Sequence, residues 1–145
     1  MSLKLSTKTR YGTRAIIEIA KSYGKNPVKR EDISKKEKVS KTYLENILIA
    51  LKTHGIIDTQ RGANGGYRLA KPPSEITMLD IVNALEGSIS PVECLEQNVK
   101  CNMLPKCKTR KVWQKLMEAQ KEVLCSITLE DIIKDEEQKY IDFSI

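Results

Sequence analysis

The stretch from residue 40 to residue 69, SKTYLENILIALKTHGIIDTQRGANGGYRL, decides the fold. Ser40 is a helix-capping residue, and Leu44, Ile47, Leu48 and Leu51 follow at i, i+3, i+4 and i+7, the apolar stripe of a helix that Gly55 ends. Lys41, Thr42, Glu45 and Asn46 fall on the opposite face, and each can donate or accept a hydrogen bond. Two short strand-like runs come next, Ile56–Gln60 and Tyr67–Leu69. Between them lies Arg61-Gly-Ala-Asn-Gly-Gly66, whose Asn-Gly pair predicts a β-hairpin turn flanked by Arg61 and Arg68.

Upstream, Tyr11, Ala15, Ile16, Ile19, Ala20 and Tyr23 recur near helical period from Ser6 or Thr7 to a stop at Gly24. A second, shorter helix is predicted over residues 28–34. Three helices followed by a basic hairpin is the order of a winged helix-turn-helix. A recognition helix needs an apolar inner face and hydrogen-bonding groups on the outer turns that meet base edges. A wing needs a tight turn and arginines to engage phosphates or the minor groove. A small α+β domain whose hairpin merely packs is the plainer reading. Neither Gly-x-x-x-x-Gly-Lys nor Gly-x-Gly-x-x-Gly occurs, so a nucleotide-phosphate loop is not supported.

Pro72-Pro73 closes this unit, placing a DNA-binding domain at residues 1–73 and a sensor and dimerisation region at 74–145. The second region opens with a compact helix, Thr77–Glu86, ended by Gly87. A loop of roughly twenty residues follows, long enough to signal function or disorder. Val112, Trp113, Leu116, Met117, Ala119, Gln120, Val123 and Leu124 then lie along a long helix with a wide apolar face. Residues 128–133 start a last short helix, and residues 138–145 read as a tail. The long helix needs more than one neighbour, and antiparallel pairing with its copy in a two-fold dimer matches palindromic DNA half-sites. Burial within its own chain is the alternative. The fold expected is mainly α with a small β-hairpin wing: a winged helix-turn-helix plus a long dimerisation helix.

The 145-residue chain has 25 Lys and Arg, 19 Asp and Glu, and a net charge of +6. Residues 1–71 hold 16 basic against 6 acidic residues, net +10, whereas residues 72–145 hold 9 against 13, net −4. Such asymmetry suggests a half that faces nucleic acid. Aromatic residues are only 5%, so Ile, Leu, Val and Ala must build the core. No apolar run approaches the roughly 20 residues a bilayer span needs, and no signal-peptide segment is seen, so a cytoplasmic protein without membrane contact is expected. The single histidine, His54, ends the third helix, where it complements the helix dipole. No Ser/His/Asp or Cys/His set is present, and an enzyme is not expected.

All four cysteines lie in the second half, and three share one loop as Cys94-x6-Cys101-x5-Cys107. In a reducing compartment clustered thiols point to metal or redox chemistry rather than disulfides. Lys100, Lys106, Lys108 and Arg110 surround them and favour the thiolate. Thiolates suit iron–sulfur clusters and soft metals, while the spacing is not the paired Cys-x2-4-Cys of structural zinc. An iron–sulfur cluster, zinc or another metal, and free redox-active thiols are all open on spacing alone. Cys125, in the apolar run Val123-Leu124-Cys125, reads as a small core residue.

Leu5-Ser-Thr-Lys-Thr-Arg-Tyr-Gly12, Ser40-Lys-Thr-Tyr-Leu-Glu45 and Arg61-Gly-Ala-Asn-Gly-Gly-Tyr67 resemble the bacterial winged-helix regulators that include IscR, NsrR and CymR. Leu85-Glu-Gly-Ser-Ile-Ser-Pro-Val-Glu93 is similar to the CymR branch, and the likeness covers nearly the whole chain. The resemblance implies a homodimeric DNA-binding transcription regulator, usually a repressor, with a cluster-sensing loop in the IscR and NsrR branches. By motif position it implies that Ser40, Lys41, Thr42, Tyr43 and Glu45 face DNA from the recognition helix. Arg61 would reach from the wing, with Gly62, Gly65 and Gly66 permitting close approach. Cys94, Cys101 and Cys107 match the three cluster ligands. Where IscR-like members carry a histidine this chain has Arg110, and where NsrR-like members carry an aspartate it has Arg10, so the fourth ligand is unassigned.

The expected function is a repressor of iron–sulfur, sulfur or redox-stress genes that binds a double-stranded DNA operator. An iron–sulfur cluster on the 94–107 loop, 2Fe–2S in preference to 4Fe–4S, would switch its affinity. The CymR likeness implies a rival, a cysteine-metabolism repressor controlled by a cysteine-synthase partner or by thiol oxidation without a cluster. In that reading the C-terminal Ile145 carboxylate is an end group a partner's pocket can capture. A subunit acting mainly on a cysteine-biosynthetic enzyme and a small iron–sulfur redox enzyme are more distant alternatives.

Overall fold

The computed structural model describes residues 4–92, 95 and 107–143, with side chains as far as residue 136. Its elements run α1 (Thr7–Lys21), α2 (Arg30–Glu37), α3 (Lys41–Thr53), β1 (Ile57–Gln60), β2 (Gly66–Leu69), a 3-10 turn (Pro73–Glu75), α4 (Met78–Glu86), α5 (Arg110–Cys125) and α6 (Leu129–Phe143). Local chemistry explains most boundaries. Ser6 caps α1 by accepting from the Thr9 N–H at 3.2 Å, and Ser40 caps α3 by accepting from the Tyr43 N–H at 3.2 Å. Thr77 and Asp80 form a reciprocal capping box on α4, and Thr128 and Asp131 do the same for α6.

β1 and β2 pair antiparallel with Ile57 opposite Leu69 and Gln60 opposite Gly66. Val28 joins them as a single bridge, exchanging two 2.8 Å backbone hydrogen bonds with Tyr67. This corrects the second helix, expected over 28–34. Its first two residues are extended, because a β-branched valine with both backbone groups taken by Tyr67 cannot enter a helix, and α2 starts at Arg30 and runs on to Glu37.

One hydrophobic cluster holds the chain together. Ile16 and Ile19 of α1, Ile33 of α2, and Leu44, Ile47, Leu48 and Leu51 of α3 meet Ile57, Leu69, Ile81, Leu85 and Leu129. α1 crosses α4 at Gly12, where an added Cβ would lie 2.4 Å from Leu85 Cδ1. A larger residue there would have to displace the Leu85 side chain. On the outside of α1, Glu18 pairs with Lys36 of α2 and with Lys21, and Lys21 reaches Glu136 of α6 at 2.9 Å. Burial pushes the Glu18 carboxyl up, but the ammonium groups of Lys36 and Lys21 outweigh it and hold the group below the usual range.

Two further expectations change. α6 extends to Phe143, so most of the expected tail is helix; Ser144 and Ile145 lie outside the described residues. The stretch after Ile133 has no apolar stripe to announce a helix, but it also lacks Gly and Pro and is dense in good helix formers. Cys125 is exposed rather than in the core, because among the described residues nothing covers α5 closely enough to bury any of its side chains. Val112 and Val123 are 55% and 59% exposed and Trp113 37%. Among the described residues no helix is long and apolar enough to cross a membrane.

Candidate nucleic-acid interface

The stripe that buries α3 leaves its other face in solvent, where Lys41, Thr42, Glu45, Asn46, Ile49, Lys52 and Thr53 are all exposed. Ser40 keeps its hydroxyl hydrogen to donate while its oxygen caps the helix. Tyr43 is half-buried, its ring edge-on to Tyr11 with centroids 6.2 Å apart and planes at 88°. The Arg14 guanidinium carbon stands 5.4 Å from the Tyr11 ring centre. Tyr43 thus ties α3 to α1 as well as lying at the helix start. Glu45 forms an ion pair with Arg30 of α2 at 3.2 Å. His54 closes α3, its Nδ1 donating to the Ala50 carbonyl at 2.9 Å.

The wing is fixed to this helix, since Lys52 Nζ donates to Thr59 Oγ1 on β1 at 3.3 Å. Arg61 is exposed and has no hydrogen-bond or ion-pair partner among the described residues. Arg68 donates to Gln60 at 3.5 Å. The turn glycines have internal reasons to be glycine. A Cβ on Gly65 would lie 2.2 Å from the Gln60 carbonyl oxygen, and one on Gly66 would lie 2.5 Å from that of Val28. Gly62 has φ +110°, which side-chain-bearing residues rarely adopt.

Of the cysteines, Cys94 and Cys101 lie outside the described residues. Cys107 is half-buried just before α5 and its Sγ is 3.5 Å from Thr109 Oγ1. The Thr109 hydroxyl, followed by the Arg110 N–H, pulls the Cys107 thiol below the usual range. A cysteine sulfur is the donor an iron–sulfur cluster takes, so the residue fits that group. Among the described residues no three His, Cys, Asp or Glu side chains gather into a metal site.

The base of the cysteine loop is tied to α1. Glu86, the last residue of α4, accepts from the backbone N–H of Ser6. Burial pushes the Glu86 carboxyl up, but Ser6 and Thr9 donate to it and hold it below the usual range. Beside this contact lies an open cavity of about 800 Å³, bounded by the cap Ser6 and Arg10 of α1, by Ser88, Ile89 and Pro91, and by Gln120 of α5. The Gln120 Oε1 atom is buried and has no hydrogen-bond partner among the described residues.

A three-helix unit with a hairpin wing and an exposed polar face on α3 matches a known group of regulators. The Rrf2 family, described as iron-dependent transcriptional regulators, matches residues 5–135. The chain belongs to the Rrf2 family. It is 38% identical to the rrf2 protein of Nitratidesulfovibrio vulgaris over 133 residues, covering 92% of this chain and 89% of that one. It is 42% identical over 130 residues to the HTH-type transcriptional regulator CymR of Bacillus subtilis, 90% and 89% covered. The solved structure of that CymR, the global cysteine regulator of B. subtilis, superposes with a TM-score of 0.75 over 92% of this chain and 98% of its own. The structure of IscR from T. potens superposes with a TM-score of 0.76 at 35% identity, over 94% and 90%. These Rrf2 relatives are transcriptional regulators, not enzymes.

Arg30, which pairs with Glu45, and the exposed Ile49 belong to this face although the sequence does not single them out. Arg30 lay inside a misplaced helix start. Ile49 falls off the buried stripe by one position, and that offset is the signal that finds it.

Proposed function

We propose that this Rrf2 protein is a homodimeric DNA-binding repressor whose operator affinity is switched by an iron–sulfur cluster held on the 94–107 loop. Residues 1–73 read the DNA and residues 74–145 sense and dimerise. Ser40, Lys41, Thr42, Tyr43 and Glu45 meet the major groove, and Arg61 meets a phosphate beside the wing. Trp113, Val112 and Val123 of α5, exposed in the single chain, supply the apolar surface that a second copy covers.

The observation that carries the switch is the placement of Cys107, the last cysteine of the loop, shortly before α5 with its Sγ 3.5 Å from Thr109 Oγ1. Cys94, Cys101 and Cys107 would hold the cluster, 2Fe–2S rather than 4Fe–4S. Bound, it would supply an oxidation-sensitive link among their sulfurs. The chain's own residues relay the state of the loop. Glu86 and Ser6 join the loop base to the start of α1, and Tyr11 packs on Tyr43 of α3. A loop arrangement that shifts Glu86 thus shifts the cap of the helix that supports the recognition helix, and the difference in stability between two arrangements couples the sites.

A second reading is a cysteine-metabolism repressor working by thiol oxidation or a cysteine-synthase partner. The likeness to the global cysteine regulator and the exposed Cys125 favour it. Cys101→Ala separates the two: the cluster reading expects the anaerobically purified protein to lose its visible absorption, and retained colour rejects this ligand set. Deleting Ile145 tests the partner reading, which expects loss of cysteine-synthase binding with DNA binding intact.

A further inference from the structure

Among the exposed side chains of α3, Glu45 is anchored by another helix. Arg30, the first residue of α2, places Nη1 3.2 Å from Glu45 Oε2 and Nη2 3.8 Å from Glu31. Without Arg30, the cation one turn away on α3 is Lys41, and a lysine four residues before a glutamate is the weaker order of that pair. Arg30 therefore draws the carboxylate toward α2. Oε1 of Glu45 has no partner among the described residues and remains an acceptor. An isolated carboxylate on this face would also be repelled by phosphates, and the guanidinium cancels that charge while leaving the acceptor in place.

We propose that Arg30 is a positioning residue that aims Glu45 for recognition of one cytosine. This rests on the DNA-binding reading above. A carboxylate can only accept, and the major-groove donors are the cytosine N4 and adenine N6 amino groups. Adenine sets its N7 acceptor beside N6, which repels a carboxylate, so cytosine is the base the pair selects.

The test uses the full-length protein and a randomised double-stranded DNA pool, then affinities for the enriched site and its single-base-pair replacements. Wild type is expected to favour cytosine at one position about tenfold, the scale of one mismatched pair. Arg30→Leu and Glu45→Ala are each expected to lose that preference, and the double variant to lose no more than either alone. The thermal midpoint of each variant checks that it is folded. If Arg30→Leu instead weakens every sequence equally, lowers the salt dependence and leaves the cytosine preference intact, Arg30 is a phosphate contact and the proposal is overturned. If wild type enriches no sequence, the DNA-binding reading itself fails.

Discussion

Arg61 is the most direct probe of the wing. It is exposed and has no partner among the described residues, so Arg61→Ala removes a cation without leaving a buried group unpaired. The thermal midpoint should therefore stay where it is. Binding is different. Each neutralised phosphate contributes about 0.9 to the slope of log affinity against log salt, so a dimer that loses both copies of Arg61 should show a slope shallower by about 1.8. Between about 50 and about 200 mM salt, the wild type should then lose about twelvefold more affinity than the variant. Fluorescence anisotropy on one labelled operator duplex across five salt concentrations reads this slope. An unchanged slope with a folded variant would refute the wing's contact with phosphate. A shallower slope with a lowered melting temperature would mean that Arg61 acts through the fold instead.

Other positions test the supporting structure. Gly66→Ala places a methyl 2.5 Å from the Val28 carbonyl oxygen, so the bridge that holds the wing must open; a loss of about 2 kcal/mol in urea unfolding is expected, and an unaltered midpoint would contradict it. Glu86 has a folded-state acidity held below the usual carboxylate range, so its contribution is present above that usual range and disappears as the pH falls through the lowered value. Glu86→Gln should cost about 1 kcal/mol at pH 7 and almost nothing in acid below the wild type's lowered value, as measured by denaturant titration at the two pH values. Trp113→Glu puts a charge on the uncovered face of α5 and should turn the dimer into a monomer in sedimentation velocity with little change in helix content.

Where local chemistry sets the structure, the sequence is readable. Ser40, the Leu44–Leu51 stripe and Gly55 define α3 without help from distant residues, and Asn64-Gly65 announces the hairpin. Legibility fails where a remote partner decides. Val28 is extended because Tyr67, far along the chain, takes both its backbone groups. α6 continues past Ile133 through polar residues, and Glu136 finds Lys21 of α1, an ion pair that no periodicity reveals. The site divides in the same way. The exposed face of α3 and the wing arginine follow from spacing, whereas the anchoring of Glu45 by Arg30 needs two helices placed in space. An apolar run alone points to core, yet none of the described residues of α5 is buried, and Cys125 is exposed.

If a cluster on the 94–107 loop controls DNA affinity, the protein's colour and its operator affinity must change together. Anaerobic purification, an absorption spectrum with iron and acid-labile sulfide assays, and operator titration of the same sample before and after chelation test it directly. The expected result is a coloured protein with matched iron and sulfide whose affinity changes at least about fivefold when the cluster is removed, the lower end of ordinary allosteric coupling. A colourless, iron-free protein that binds the operator with full affinity, or a coloured one whose affinity is the same in both states, would contradict it.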